Sequence, residues 1–198
     1  MKLILIRHGE TEESKNGILL GQLPGTLSRN GKREMATVAK QIREMNQNPE
    51  IIFSSDLRRT KDSAKIIARI LKLKIRYSKL LRERKGGEAE GKRENEINWK
   101  QYENGPRIRR KHAGGESFSE VKRRAKEFLC IPDLKEHKTI ILVSHHAFLA
   151  MLISYTKKMG AEKALKIKFS NSMVVLNISK ENRVGHTHSI KSPAIARS

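Results

Sequence analysis

The chain has 198 residues, 37% of them hydrophobic and 32% charged, with 42 Lys and Arg against 21 Asp and Glu for a net charge of +21. This length suits a single domain, residues 1–198, and the apolar content excludes a chain that stays unfolded for want of a core. The charge asks for an anionic partner, whether nucleic acid, acidic membrane surface or phosphorylated small molecule, without choosing among them. Cys130 is the only cysteine, which rules out an intramolecular disulfide and a cysteine zinc cluster; it reads as a small buried thiol. The apolar start, residues 1–6, is closed at once by Arg7 and His8, unlike a secretory signal. The longest apolar stretch, 139–155, is too short for a membrane span and is split by Ser144, His145 and His146. A cytoplasmic protein with no membrane association is expected.

In chain order, residues 2–6 are almost continuously apolar and predict a central strand covered on both faces. Residues 18–31 form a Gly-rich loop, and a helix follows to about Met45 with Met35, Val38, Ala39 and Ile42 on one face. Residues 51–53 predict a second strand, 57–71 a helix, and 74–77 a third strand. Residues 58–85 hold twelve basic side chains against Asp62 and Glu83; the helical part of this run reads as a solvated face. Residues 86–115 are polar and rich in Gly, a long excursion over the mouth of a site, with Trp99 and Tyr102 as its anchors. Ser117 and Glu120 make a capping box for a helix through Leu129. Residues 139–143 are the most hydrophobic strand and lead through Ser144-His145-His146 into a helix from about Ala147. Residues 173–178 and 183–188 predict closing strands, the second at an edge, and a frayed tail from about 191 to 198. Alternating strands and helices predict a three-layer α/β/α sandwich on a mostly parallel sheet.

Ligands of open α/β sheets gather at the carboxyl ends of strands. There the chain places Arg7 and His8, then Ser54, Ser55 and Arg59, then Arg82, Glu83 and Arg84, then Ser144 and His145. Among these, His8 and His145, Arg7 and Arg59, and the carboxylate of Glu83 suit phosphoryl transfer through a covalent intermediate. A neutral imidazole attacks phosphorus without first losing a proton. Guanidinium forks match the equatorial oxygens that carry the transition-state charge. A carboxylic acid, here Glu83, would protonate the leaving oxygen and then activate water.

These residues resemble the histidine phosphatase superfamily, also called the phosphoglycerate mutase-like family, over nearly the whole chain. Arg7-His8-Gly9-Glu10-Thr11 is similar to its RHG signature, Gly17 to Gly31 to its GxxxGQxxxxLxxxG loop, and Ser54 to Arg59 to its SSDLxR segment. Leu81-Arg82-Glu83-Arg84 with Gly87 and Glu90-Gly91 resembles LxERxxGxxEG, Gly115-Glu116-Ser117 resembles GES, and Val143-Ser144-His145 resembles VSHG. The resemblance implies a six-stranded sheet with one antiparallel edge strand and helices on both faces. It implies His8 as phosphorylated nucleophile, Arg7 and Arg59 as phosphoryl clamps, His145 as the second histidine on the transferring group, and Glu83 as general acid and base, with no metal. Gly21 and Gln22 of the loop join the phosphate-binding candidates. The family's usual Asn six residues after the nucleophile is Ser14 here, so Ser14 or the nearby Asn16 is expected at the phosphate. The common VSHGG is replaced by Val143-Ser144-His145-His146-Ala147, and the residue before Glu90 is Ala89.

The leading expectation is a compact, cofactor-independent phosphomonoesterase for a small phosphorylated metabolite, with Arg107, Arg109, Arg110 and Lys111 available to a second anionic group. A phosphoglycerate mutase, which would need 2,3-bisphosphoglycerate, is the alternative within the family. An inactive nucleic-acid-binding protein on the same fold is the alternative from the charge, and the intact catalytic set speaks against it. Glu10 reads as a helper that orients its neighbours, His146 as packing or capping, and His186 with His188 as too sparse for a metal site. Oligomeric state stays open, a homodimer included.

Overall fold

The computed structural model describes residues 1–102, 105–169, 173–178 and 187–189. Among them six strands form one sheet: β1 (Lys2–Arg7), β2 (Ile51–Ser55), β3 (Ile75–Ser78), β4 (Thr139–Ser144), β5 (Val174–Asn177) and β6 (Thr187–Ser189). Their order is β3-β2-β4-β1-β5-β6. The first four run parallel, while β5 pairs antiparallel with β1 and β6 antiparallel with β5. The mostly parallel six-stranded sheet is as predicted. Its reversed strand, β5, lies one place in from the edge, and β6 takes the edge position. His188 belongs to β6, paired with Val175; His186 and the expected tail lie outside the described residues.

The alternation of β1 builds two cores. Leu3 and Leu5 project to one side with Ile140, Leu142, Phe128 and Phe148, and Ile4 and Ile6 to the other with Ile141, Val143, Met35 and Ile67. The helices are α1 (Glu12–Lys15), α2 (Arg29–Glu44), α3 (Arg58–Leu71), α4 (Trp99–Tyr102), α5 (Phe118–Leu129), α6 (His146–Thr156) and α7 (Ala161–Leu165). The α2 and α3 helices cover the Ile4 and Ile6 face, and α5 and α6 the Leu3 and Leu5 face. The predicted capping box starts α5, with Glu120 N donating to Ser117 Oγ at 3.3 Å and Ser117 N to Glu120 Oε2 at 2.7 Å. Cys130 is the C-cap residue of α5 and is exposed, not buried, because it stands off the core-facing side of the helix that holds Val121, Ala125, Phe128 and Leu129.

The excursion over 86–115 resolves into short 3-10 turns, Gly87–Ala89, Glu94–Glu96 and Arg107–Arg109, together with α4. Trp99 and Tyr102 anchor it as expected, their rings 5.8 Å apart and edge-on, and His112 stacks on Tyr102 at 4.6 Å. Phe128 joins two core rings edge to face, Phe53 at 5.9 Å and Phe148 at 6.2 Å, with no exposure. Phe128→Ala leaves a cavity there and should cost about 3–5 kcal/mol. Urea unfolding read by circular dichroism checks this, and an unchanged midpoint contradicts the packing described.

Candidate active site

The parallel register of β1 and β4 sets the site. Ile6 stands opposite Val143 and Arg7 opposite Ser144, so the residues that follow, His8 and His145, leave the sheet side by side. His8 N donates to Ser144 O at 3.0 Å, and the two imidazole centroids are 5.1 Å apart, edge-on. On the far side of β4, β2 ends at Ser55, whose Oγ is 3.0 Å from His145 Nε2. The loop after His8 passes so close to α2 that a Cβ on Gly9 would lie 2.4 Å from Gly31 O. Glycine is required there by contact.

His8 Nδ1 is 2.8 Å from Gly9 O, and a carbonyl can only accept, so the proton sits on Nδ1. Nε2 therefore carries the lone pair, which accepts from Arg59 Nε at 3.2 Å. Burial, then the charges of Arg59 and Arg7, hold the His8 pKa well below its ordinary value. Burial and then Arg59 do the same to His145, which is fully buried with Nδ1 unpartnered among the described residues.

Arg59 lies in the first turn of α3 and is 1% exposed. Its guanidinium is fixed by backbone carbonyls, Nη2 donating to Gly21 O at 2.7 Å and Nη1 to Leu23 O at 2.5 Å. Burial lowers its pKa to about 10, which still leaves it charged at neutral pH. Arg7 Nε is buried with no partner among the described residues, an arrangement that is costly unless an acceptor arrives.

Glu83 follows the 3-10 turn Lys79–Leu81 and accepts from Arg84 N at 2.8 Å and from Ala147 N, in the first turn of α6, at 3.2 Å. The backbone that carries it is pinned from two sides. Ser144 Oγ donates to Leu81 O at 2.7 Å, and Arg124 of α5 donates to Leu80 O at 2.7 Å, Arg82 O at 3.0 Å and Glu83 O at 3.2 Å. Glu116 holds Arg124 in place at 2.8 Å. Arg82 and Asp56 pair through two bonds of 2.7 and 2.6 Å, which joins the segment after β3 to the one after β2.

Arg7, His8, Arg59 and Glu83 share one cavity of about 330 Å³ with Arg84, Arg107 and His146. The other candidates divide. Ser14 lines the cavity, but its hydroxyl donates to Thr11 O at 2.9 Å in the capping box of α1. Gly21 lines it too, its carbonyl spent on Arg59. Gln22 stands outside the lining and donates to Glu83 O at 3.0 Å, while its own N–H goes to Glu90 at 2.8 Å. Asn16 is exposed, outside the lining, with its amide on Glu12 O at 2.9 Å; a one-turn helix directs it away from His8. His145 supports His8 from outside the lining. Glu10 accepts from Ser28 Oγ at 2.5 Å and so joins the His8 loop to the start of α2.

Of the basic run, Arg107 reaches the cavity, Arg110 bonds Gly105 O at 2.6 Å, Lys111 pairs with Glu120 at 3.0 Å, and Arg109 is exposed. Ser55, placed at a strand end by the sequence but given no role there, and Arg124, which no motif includes, carry positioning contacts. Among the described residues, the group of side chains spaced for a metal is Asp133, Glu136 and His137, which precede β4 at the opposite end of the sheet, and Asp133 is paired with Arg76. No described helix is long and apolar enough to cross a membrane.

A histidine beside two arginines at the end of the first strand of an α/β sandwich defines a phosphoryl-handling class of enzyme. The chain belongs to the histidine phosphatase superfamily (branch 1), whose family model matches residues 3–189, and it is an enzyme of that superfamily. It is 29% identical over 180 residues to the probable phosphoglycerate mutase GpmB of Shigella boydii, covering 88% of this chain and 83% of the relative. Its fold matches the alpha-ribazole phosphatase of Shigella flexneri with a TM-score of 0.83 at 20% identity over all of both chains. It also matches the phosphoserine phosphatase of Entamoeba histolytica in complex with 3-phosphoglyceric acid, with a TM-score of 0.75 at 30% identity over 96% of this chain and 95% of that one.

The unfolded chain protonates its histidines near pH 6.5, whereas folded His8 and His145 stay neutral below that point. Stability present above about pH 6.5 is therefore lost as pH falls, by up to about 1.4 kcal/mol per pH unit for each histidine. His8→Gln should flatten the fall of the urea midpoint between about pH 6.5 and 5. Equal slopes for wild type and variant contradict a His8 held neutral in the fold.

Proposed function

We propose that the protein is a cytoplasmic phosphomonoester hydrolase that acts on a small phosphorylated metabolite through a phosphohistidine at His8. The observation that carries this reading is a neutral imidazole whose tautomer is locked by Gly9 O, with its Nε2 lone pair beside Arg59 in a cavity that holds Arg7 and Glu83. The lining offers guanidinium groups in place of the acidic cluster that a divalent ion requires, so the reading is metal-independent and needs no cofactor.

An incoming phosphoryl group takes up the unpartnered Arg7 Nε and draws Arg59 Nε from His8 to one of its own oxygens, which frees the lone pair. His8 Nε2 attacks phosphorus, the ester P–O bond breaks, and the leaving oxygen takes a proton from the Glu83 carboxylic acid. The phosphorylated ring keeps Nδ1–H on Gly9 O. Glu83, now a carboxylate, accepts a proton from water as the water oxygen attacks phosphorus. The P–N bond breaks, its electrons return to Nε2, and inorganic phosphate leaves with Glu83 protonated again. His145, outside the lining with Ser55 Oγ at its Nε2, acts on the transferring group through His8, whose ring it meets edge-on. Gln22 and Arg124 hold the Glu83 backbone, and Gly21 holds Arg59.

A mutase reading draws on the name of the Shigella boydii relative: the phosphohistidine would pass its phosphoryl group to the free hydroxyl of a bound phosphoglycerate, and the bisphosphoglycerate so formed would return its other phosphoryl group to His8. A panel of phosphate monoesters assayed with and without 2,3-bisphosphoglycerate separates the two readings. Phosphate release supports the hydrolase, and bisphosphate-dependent isomerisation the mutase. Oligonucleotide binding without turnover overturns both.

His8→Ala should lower kcat by roughly 10³-fold or more and remove an acid-labile, base-stable phosphoenzyme trapped from a labelled substrate. Retention of that phosphoenzyme moves the nucleophile elsewhere. Glu83→Gln should lower kcat/KM by about 10²–10⁴-fold for alkyl phosphates and much less for p-nitrophenyl phosphate, whose leaving group needs no proton. Equal losses on both ester types argue against Glu83 as the acid.

A further inference from the structure

Arg107 lines two neighbouring cavities, one of them the cavity that holds His8. A second, more open cavity of about 720 Å³ shares Arg107 with the first and is bounded by Pro106, Ile108 and the α7 region. α7 and its flank form the partition, with Leu165 lining the first cavity and Lys163 and Lys166 the second. His146 fixes this partition to the catalytic side: its Nε2 bonds Leu165 O at 3.1 Å, and its ring meets Phe169 edge-on at 5.6 Å.

The charges around this second cavity are not spent as those nearby are. Lys111 is paired with Glu120, Arg110 bonds Gly105 O, and Arg124 is paired with Glu116. Among the described residues, Arg107, Lys163 and Lys166 make no ion pair or side-chain hydrogen bond. One carboxylate, Glu162, shares the cavity with these three cations. Three exposed cations around one open cavity raise its potential and favour an anion there, and Pro106 and Ile108 add apolar lining.

We propose that the cavity beyond Arg107 is a distal anion subsite, so that the substrate is a phosphomonoester whose alcohol part is extended and carries a second anionic group seated on Lys163 and Lys166. The proposal rests on the hydrolase reading for the scissile phosphate and deepens it by naming the substrate class. Arg107 lines both cavities and stands between the two anionic groups; His146 is a positioning residue that keeps the α7 wall in place.

The test is a series of straight-chain diol bisphosphates from propanediol to octanediol, each against the matching alkyl phosphate, with phosphorylated hydroxy acids as a second arm to separate a distal phosphate from a distal carboxylate. At the length that reaches from the His8 cavity to Lys163 and Lys166, kcat/KM should favour the doubly anionic ester by about tenfold, a preference that shrinks with added potassium chloride. The double variant Lys163→Ala/Lys166→Ala should lose about fivefold of that preference while hydrolysing the alkyl phosphate at the wild-type rate. A preference absent at every length, or one that survives in the double variant, overturns the subsite. Calorimetric binding of the same bisphosphates in a His8→Ala background, with and without the two lysine changes, keeps the subsite testable without turnover. Binding weakened by the lysine changes, in a protein whose wild type hydrolyses nothing, supports the subsite and overturns the hydrolase reading. Binding indifferent to the lysines overturns the subsite alone.

Discussion

The hydrogen-bonded register between β1 and β4 is the constraint on which the site depends. These strands are far apart in sequence, yet their pairing ends with Arg7 opposite Ser144 and with His8 N on Ser144 O. A slip of one residue would turn His8 to the other face of the sheet and exchange the two cores, since Leu3 and Ile4 feed opposite layers. The pairing is made secure by burial on both sides, and the chemistry at the strand ends inherits that security. Catalytic precision is thus set by the part of the molecule least exposed to water.

Around this fixed pair, arginines do most of the ordering. Arg59 gathers the loop of Gly21 and Leu23, Arg82 ties the segment after β3 to Asp56, and Arg124 holds three successive stretches of carbonyl around Glu83. Arg59 and Arg124 each bond several backbone carbonyls, and Arg82 grips both oxygens of one carboxylate, which the single ammonium of lysine could not do. Part of the net charge of +21 is therefore internal scaffolding. This use of basic residues is separate from attraction of an anion, and the two coexist within one site.

The legible parts of the fold were those whose cause is local. β1 and β4 read as apolar runs, α2 and α5 by their spacing and caps, and His8 with Arg7 by their place at a strand end. α6 is buried on nearly every side and has no polar stripe to betray its helical period, so its start was read from the preceding Ser144-His145 instead. The excursion over 86–115 was opaque because long-range contacts shape it. The Glu90 carboxylate joins Gln22 N to Gly86 N, and Arg84 lies over Phe118 at 4.6 Å. Arg124 was missed for the same reason, being one more basic residue on an amphipathic helix until its partners are seen. Asn16 was drawn toward the phosphate by proximity in sequence, which the short helix α1 overrides.

The contact from Arg59 Nε to His8 Nε2 has a consequence for selectivity among reagents. The basic nitrogen is engaged by a cation, and the same cation lowers its affinity for protons. An uncharged electrophile that enters the cavity offers Arg59 nothing in exchange and meets a muted base. An anion offers the guanidinium a better acceptor and releases the nitrogen as it binds. The imidazole is in this sense shielded from adventitious alkylation or acylation until the arriving group carries the charge that uncovers it.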